Sequence, residues 1–226
     1  MKSFDALLLG GIILLILSLL LPAVRPKEPA GPASMDDALL IGDSRTVGLA
    51  EQGELEGADF FASVGLTAHR ALETELSVPR VGKLTLEELL EAKSYGKIYV
   101  MLGINELEYP PEETAGCMEQ LLRRIRTLQP RATLIVLGNL HVTAQRSESD
   151  PCYNNPAIDR LNEALARLAG EQDLAYLDPN VLTDDSTGAL DRRKSADNAH
   201  LLAQEYRAWG VWLREQTLPL LEGKQS

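Results

Sequence analysis

The sequence predicts a three-layer α/β/α domain built on about five parallel strands. From Met35 onward, short apolar runs alternate with helical patterns. Most of those runs are continuous rather than alternating, which marks strands buried on both faces. The order β-α-β-α then places helices on both sides of one sheet. A hydrophobic content of 45% against 24% charged residues suffices for a packed core.

The strands expected, in order, are Ala38–Ile41, Phe60–Val64, Ile98–Leu102, Thr133–Leu137 and Leu174–Leu177. Helices fall between them. Thr85–Lys93 opens with a capping-box pattern, Thr85 with Glu88 three residues on. Pro111–Leu128 begins with proline and acids, as a helix N-terminus prefers. Ile158–Ala169 and Leu202–Leu213 carry apolar residues at spacings of three and four. No internal repeat and no second domain is evident.

Ahead of this domain, residues Ala6–Val24 contain no charge. As a helix they would span roughly 28 Å, close to the roughly 30 Å of a bilayer core. Signal-peptide cores are shorter, about 7–15 residues. Residues 1–24 therefore read as an uncleaved transmembrane anchor, with a removed signal peptide as the alternative. Residues 25–36, rich in proline and small residues, read as a short linker, and residues 37–226 as the domain. The expected setting is a cell membrane crossed once, with the domain outside the cytoplasm, or secretion if the first segment is cleaved.

The net charge of −11 opposes the binding of nucleic acid, whose affinity comes from neutralising phosphates. Three histidines and two cysteines occur in none of the usual zinc spacings, so no metal is expected. Asp184 and Asp185 lack the twelve-residue calcium-loop pattern. Cys117 and Cys152 read as two unpaired thiols, with a disulfide as the alternative.

In parallel α/β sheets, ligands bind beyond the carboxyl ends of the strands. The polar residues after each strand are therefore the informative ones. Gly42-Asp43-Ser44 follows the first strand, with Ser44 where strand turns into helix. Gly65 follows the second, and Gly103-Ile104-Asn105 the third. Asp197-Asn198-Ala199-His200 stands just before the last helix. A serine hydroxyl becomes a useful nucleophile when an imidazole takes its proton, and a carboxylate on the other ring nitrogen fixes the tautomer. Each piece alone also reads as an ordinary cap or turn; four in order along one edge do not.

Together these blocks resemble the SGNH/GDSL hydrolase family over roughly residues 38–215. The match lies in GDS at Gly42–Ser44, glycine at Gly65, G-x-N at Gly103–Asn105 and D-x-x-H at Asp197–His200. The resemblance implies a flavodoxin-like sheet of strand order 2-1-3-4-5 and no cofactor. It implies Ser44 as nucleophile, His200 as general base and acid, and Asp197 as its partner. It implies an oxyanion hole from the Ser44 and Gly65 N–H groups and the Asn105 side chain. Two positions depart from the family pattern. Glu106 replaces the Asp usual after the Asn, and Asn198-Ala199 replaces the usual glycine inside D-x-x-H. If that turn needs positive φ, asparagine adopts it better than most residues.

Arg45 reads as a helix-surface salt bridge, with contact to an anionic substrate group as the alternative. His141 follows the fourth strand and is a candidate to line the acyl or leaving-group pocket. His69 reads as a solvated residue. The long polar segment His141–Asn155 is expected to overhang the site. The activity expected is hydrolysis of acyl or acetyl esters through an acyl-enzyme, on cell-envelope carbohydrate or lipid. Transfer of the acyl group to an envelope polysaccharide and a non-catalytic binding module are the alternatives.

Overall fold

The structure, a computed structural model, describes residues 33–222. The apolar stretch Ala6–Val24 and the linker up to residue 32 lie outside the described residues. Among the described residues no helix is long and apolar enough to cross a membrane.

Among the described residues seven strands occur: β1 Ala38–Gly42, β2 Asp59–Ala62, β3 Glu75–Val78, β4 Gly82–Thr85, β5 Lys97–Met101, β6 Thr133–Leu137 and β7 Ala175–Leu177. Five form one parallel sheet in the order β2-β1-β5-β6-β7. Counting only these strands, the order is 2-1-3-4-5. The helices are α1 Ser44–Gln52, α2 Leu86–Ala92, α3 Pro111–Leu128, α4 Ala144–Ser149, α5 Asn155–Glu171, α6 Asn180–Thr183 and α7 Ala203–Glu222.

Alternate side chains of the central strands feed two separate cores. Leu39, Ile41, Ile98, Val100, Leu134 and Val136 pack with residues of α2, α3 and α5. Leu40, Tyr99, Met101, Ile135 and Leu137 pack on the other face with Leu49 of α1 and Trp209 and Leu213 of α7. Both faces are covered, which is why the strands carry apolar residues without alternation.

Four features differ from the sequence expectation. Residues 75–85 form an antiparallel hairpin, β3–β4, outside the main sheet. The segment after β6 holds the short helix α4, none of whose residues is buried. Helix α7 continues past Leu213 to Glu222 despite Pro219. Ala33 and Met35, in the expected linker, are buried. Ala33 N–H donates to the Arg214 carbonyl at 3.3 Å, and Met35 shares a core with Leu213, so the chain already packs on α7 before residue 37.

Candidate active site

Strand β1 ends at Gly42. A Cβ there would lie 1.9 Å from Thr46 Oγ1 and 2.8 Å from the Met101 carbonyl, so only glycine permits the turn. Asp43 caps α1, its Oδ1 accepting from Arg45 N–H at 2.9 Å. Ser44 is the first helical residue, half-buried at the carboxyl edge of the sheet.

Ser44 Oγ lies 2.9 Å from His200 Nε2, and His200 Nδ1 lies 2.7 Å from Asp197 Oδ2. A carboxylate only accepts, so Nδ1 carries the proton and Nε2 is left to accept from the serine hydroxyl. Burial pushes the Asp197 carboxyl up, but hydrogen bonds from the His200 backbone and ring and from Ala199 N–H outweigh it. The carboxyl is held far below the ordinary carboxylate range. Asp197 therefore stays an anion and keeps the imidazole in this tautomer.

The turn carrying this pair has no regular secondary structure. Asn198 takes φ +72°, the left-handed conformation that asparagine tolerates. Thr143 clamps it: Thr143 N–H donates to the Asn198 carbonyl at 3.0 Å, and Thr143 Oγ1 to Asn198 Oδ1 at 3.1 Å. From the other side, Ser195 Oγ donates to the His200 carbonyl at 2.6 Å. Thr143 and Ser195 carried no signal in the sequence, being ordinary hydroxyl residues in polar segments.

Gly65 and Asn105 stand on the same edge. Gly65 has φ +77° and open space where a Cβ would be, so backbone conformation rather than room selects glycine. Asn105 is exposed, and one amide N–H donates to the Leu66 carbonyl at 3.1 Å, leaving the other to point elsewhere. Ser44 N–H, in the first helical turn, and Gly65 N–H donate to no group among the described residues. Glu106 is buried and reaches back to the segment after β2. Its carboxylate accepts from Ala68 N–H at 2.9 Å and His69 N–H at 3.3 Å. The longer side chain thus ties the Asn105 turn to the Gly65 turn, a role not evident in sequence.

The remaining candidates fall elsewhere. Arg45 is 0% exposed and forms no surface salt bridge; its guanidinium lies 5.7 Å from the centre of the Tyr153 ring. Helix α7 and Tyr153 cover this side of α1, which a single sequence does not reveal. His141 is 8% exposed and lies between two carboxylates, Nδ1 to Asp184 at 2.7 Å and Nε2 to Asp159 at 2.9 Å. Burial pulls its pKa down, but the two acids outweigh that and raise it, and the ring joins α5 to the turn after α6. Its ring is engaged in the structure rather than turned to an open pocket. Cys117 and Cys152 are free thiols. Among the described residues no cluster of His, Cys, Asp and Glu is arranged to hold a metal ion.

A family model described as the GDSL-like lipase/acylhydrolase family matches residues 40–208, more than half of the chain. The chain belongs to the GDSL-like lipase/acylhydrolase family. The chain matches no curated protein sequence. Among solved structures it is similar to a putative platelet activating factor from Streptococcus pneumonia. That likeness has 20% identity and TM-score 0.63 and covers 96% of this chain and 99% of the other. A GDSL-like lipase from Bacteroides thetaiotaomicron gives 15% identity and TM-score 0.62 over 85% and 93%. Est24, a carbohydrate acetylesterase from Sinorhizobium meliloti, gives 14% and 0.54 over 81% and 99%. At these identities the likeness shows the acylhydrolase fold alone.

Proposed function

We propose that this acylhydrolase is a serine esterase that works through an acyl-enzyme on carbohydrate or lipid esters of a cell envelope. The observation that carries the reading is the unbroken chain from Ser44 Oγ through the His200 ring to Asp197 Oδ2. Ser44 Oγ attacks the ester carbonyl carbon while its proton passes to His200 Nε2. The resulting oxyanion takes hydrogen bonds from Ser44 N–H, Gly65 N–H and Asn105 Nδ2. His200 Nε2–H then protonates the alkoxy oxygen as the C–O bond breaks, and Ser44 keeps the acyl group. A water, deprotonated by the same nitrogen, repeats the sequence and releases the acid. The His200 and Asp197 side chains are 42% and 55% exposed, so water reaches the acyl-enzyme.

A membrane setting is supported by the uncharged stretch Ala6–Val24, long enough for a bilayer core. An envelope carbohydrate ester is also in keeping with the carbohydrate acetylesterase among the similar folds. The test is a fluorophosphonate probe and a nitrophenyl ester applied to the full chain. Wild type is expected to be labelled on Ser44 and to turn the ester over. Ser44→Ala is expected to lose the label and all but roughly 10⁻⁴ or less of kcat. An unlabelled wild type, or equal turnover by the two proteins, overturns the mechanism.

A further inference from the structure

A cavity of about 360 Å³ opens beside Asn105. One wall is Thr67, His69 and Arg70 from the turn after β2; the other is Tyr109, Glu113 and Cys117 from the loop after β5 and the start of α3. The walls approach where Cys117 Sγ lies 4.0 Å from His69 Nδ1. Neither Ser44 nor any residue of the Asp197–His200 turn lines it.

That asymmetry decides which half of an ester it takes. The carbon under attack holds four groups: Ser44 Oγ, the oxyanion, the leaving oxygen and the acyl carbon. The leaving oxygen must receive its proton from His200 Nε2, so the alcohol lies on the His200 side. The oxyanion lies at Asn105. Asn105 lines the cavity and the His200 turn does not, so of the two halves of the ester the acyl side is the one assigned to it.

The volume is that of a small-molecule pocket, which starts at about 300 Å³, and far exceeds the needs of an acetyl group. The walls lack aliphatic residues of the leucine or valine kind, so they do not suit a long alkyl chain. They offer planar faces instead. Tyr109, 58% exposed, lines the cavity together with His69 and Arg70, whose ring and guanidinium are planar groups. Arg70 and Glu113 form no ion pair among the described residues, which leaves both to meet a polar substituent. We propose that this cavity is the acyl-binding site and that it takes a hydroxyaryl acyl group, the ring against Tyr109 and the phenol hydroxyl donating to Glu113. The inference rests on Ser44 esterase chemistry and names its acyl specificity.

The test holds the alcohol constant and varies the acid: 4-methylumbelliferyl acetate, octanoate and 4-hydroxybenzoate with the full chain. The hydroxybenzoate is expected to show kcat/KM at least about tenfold above both others, the scale on which a fitted pocket discriminates. Tyr109→Ala, at an exposed position, is expected to lower the hydroxybenzoate-to-acetate ratio about fivefold. Glu113→Gln is expected to lower the same ratio while leaving in place the ratio of 4-methylumbelliferyl benzoate, measured alongside, to acetate. Acetate or octanoate preferred by wild type, or ratios unmoved in both variants, overturns the assignment. No turnover of any ester overturns it as well. The fluorophosphonate label on Ser44 then shows whether the esterase reading has fallen with it.

Discussion

Replacing Glu106 tests how the two halves of the proposed oxyanion site are held together. Its carboxylate accepts two backbone N–H groups of the neighbouring turn, at 2.9 Å from Ala68 and 3.3 Å from His69, in a buried position. Hydrogen bonds to a charged group contribute about 1.5–3 kcal/mol each, and the second, being longer, falls at or below the low end. In Glu106→Gln one acceptor oxygen remains, while the new NH₂ faces an N–H donor. In Glu106→Ala both donors lose their partner, and that of Ala68 stays buried. The alanine variant should lose about 2–4 kcal/mol. For a domain of this size that is a fall of roughly 4–16 °C in Tm. The glutamine variant should fall by about half as much. Because Asn105 is held to the Leu66 carbonyl of the same turn, kcat should drop at least about tenfold while KM changes little. Thermal unfolding by circular dichroism, paired with nitrophenyl ester kinetics well below Tm, reads both effects. Glu108→Gln, at an exposed neighbouring position, serves as the control. A Glu106→Ala protein with unchanged Tm and kcat would refute the tether.

Further outcomes follow from the same geometry. Asn105→Ala should lower kcat by about 10²–10³ with KM little affected, since in the proposed mechanism the donor acts on the oxyanion rather than on the bound ester; steady-state kinetics with one ester checks it. Asn198→Val should cost on the order of 1–3 kcal/mol of strain at φ +72° and reduce kcat, and Asn198→Gly should recover most of the loss. If glycine and valine behave alike in urea unfolding and kinetics, the turn does not depend on that φ. His141 has its folded pKa raised above the unfolded value of about 6.5. Its contribution to stability is then fully present below that pH and lost as pH rises through the higher folded value. Urea midpoints measured from pH 5 to 9 should decline on the alkaline side in wild type and show less of that decline in His141→Gln.

The central sheet was legible because its strands are buried on both faces. Thr133–Leu137 carries four aliphatic residues in a row, and no surface strand could. Helix α3 was legible to the residue, since Pro111 and the acids after it mark its start. The β3–β4 hairpin was not, because its sequence ELSVPRVGKLT buries Val78 but leaves Glu75 and Lys83 exposed and paired to each other. Helix α4 escaped notice because it has no apolar face; Thr143 at its N-cap is its main local support. At the site, Ser44, Gly65, Asn105 and His200 could be read from their positions after strands or before a helix. The residues that hold them could not. Thr143 reaches Asn198 across 55 positions and Glu106 reaches Ala68 across 38, and neither contact leaves a local pattern.

The register of the sheet sets Gly42 level with Ala62 on one side and Met101 on the other. Three adjacent strands therefore stop at one height, and the chain leaves each of them carrying Ser44, Gly65 or Asn105. The sheet's own pitch, about 4.8 Å between strands, acts as a ruler for these three groups. Core substitutions that keep the register leave their spacing alone, however much stability they remove. His200 is off the ruler. It hangs on a turn moored by single hydroxyl and amide contacts, and so it is the member of the constellation that small polar changes can displace. Apart from changes to Ser44, Gly65 and Asn105 themselves, loss of activity without loss of fold should therefore cluster around residues 143 and 195–200.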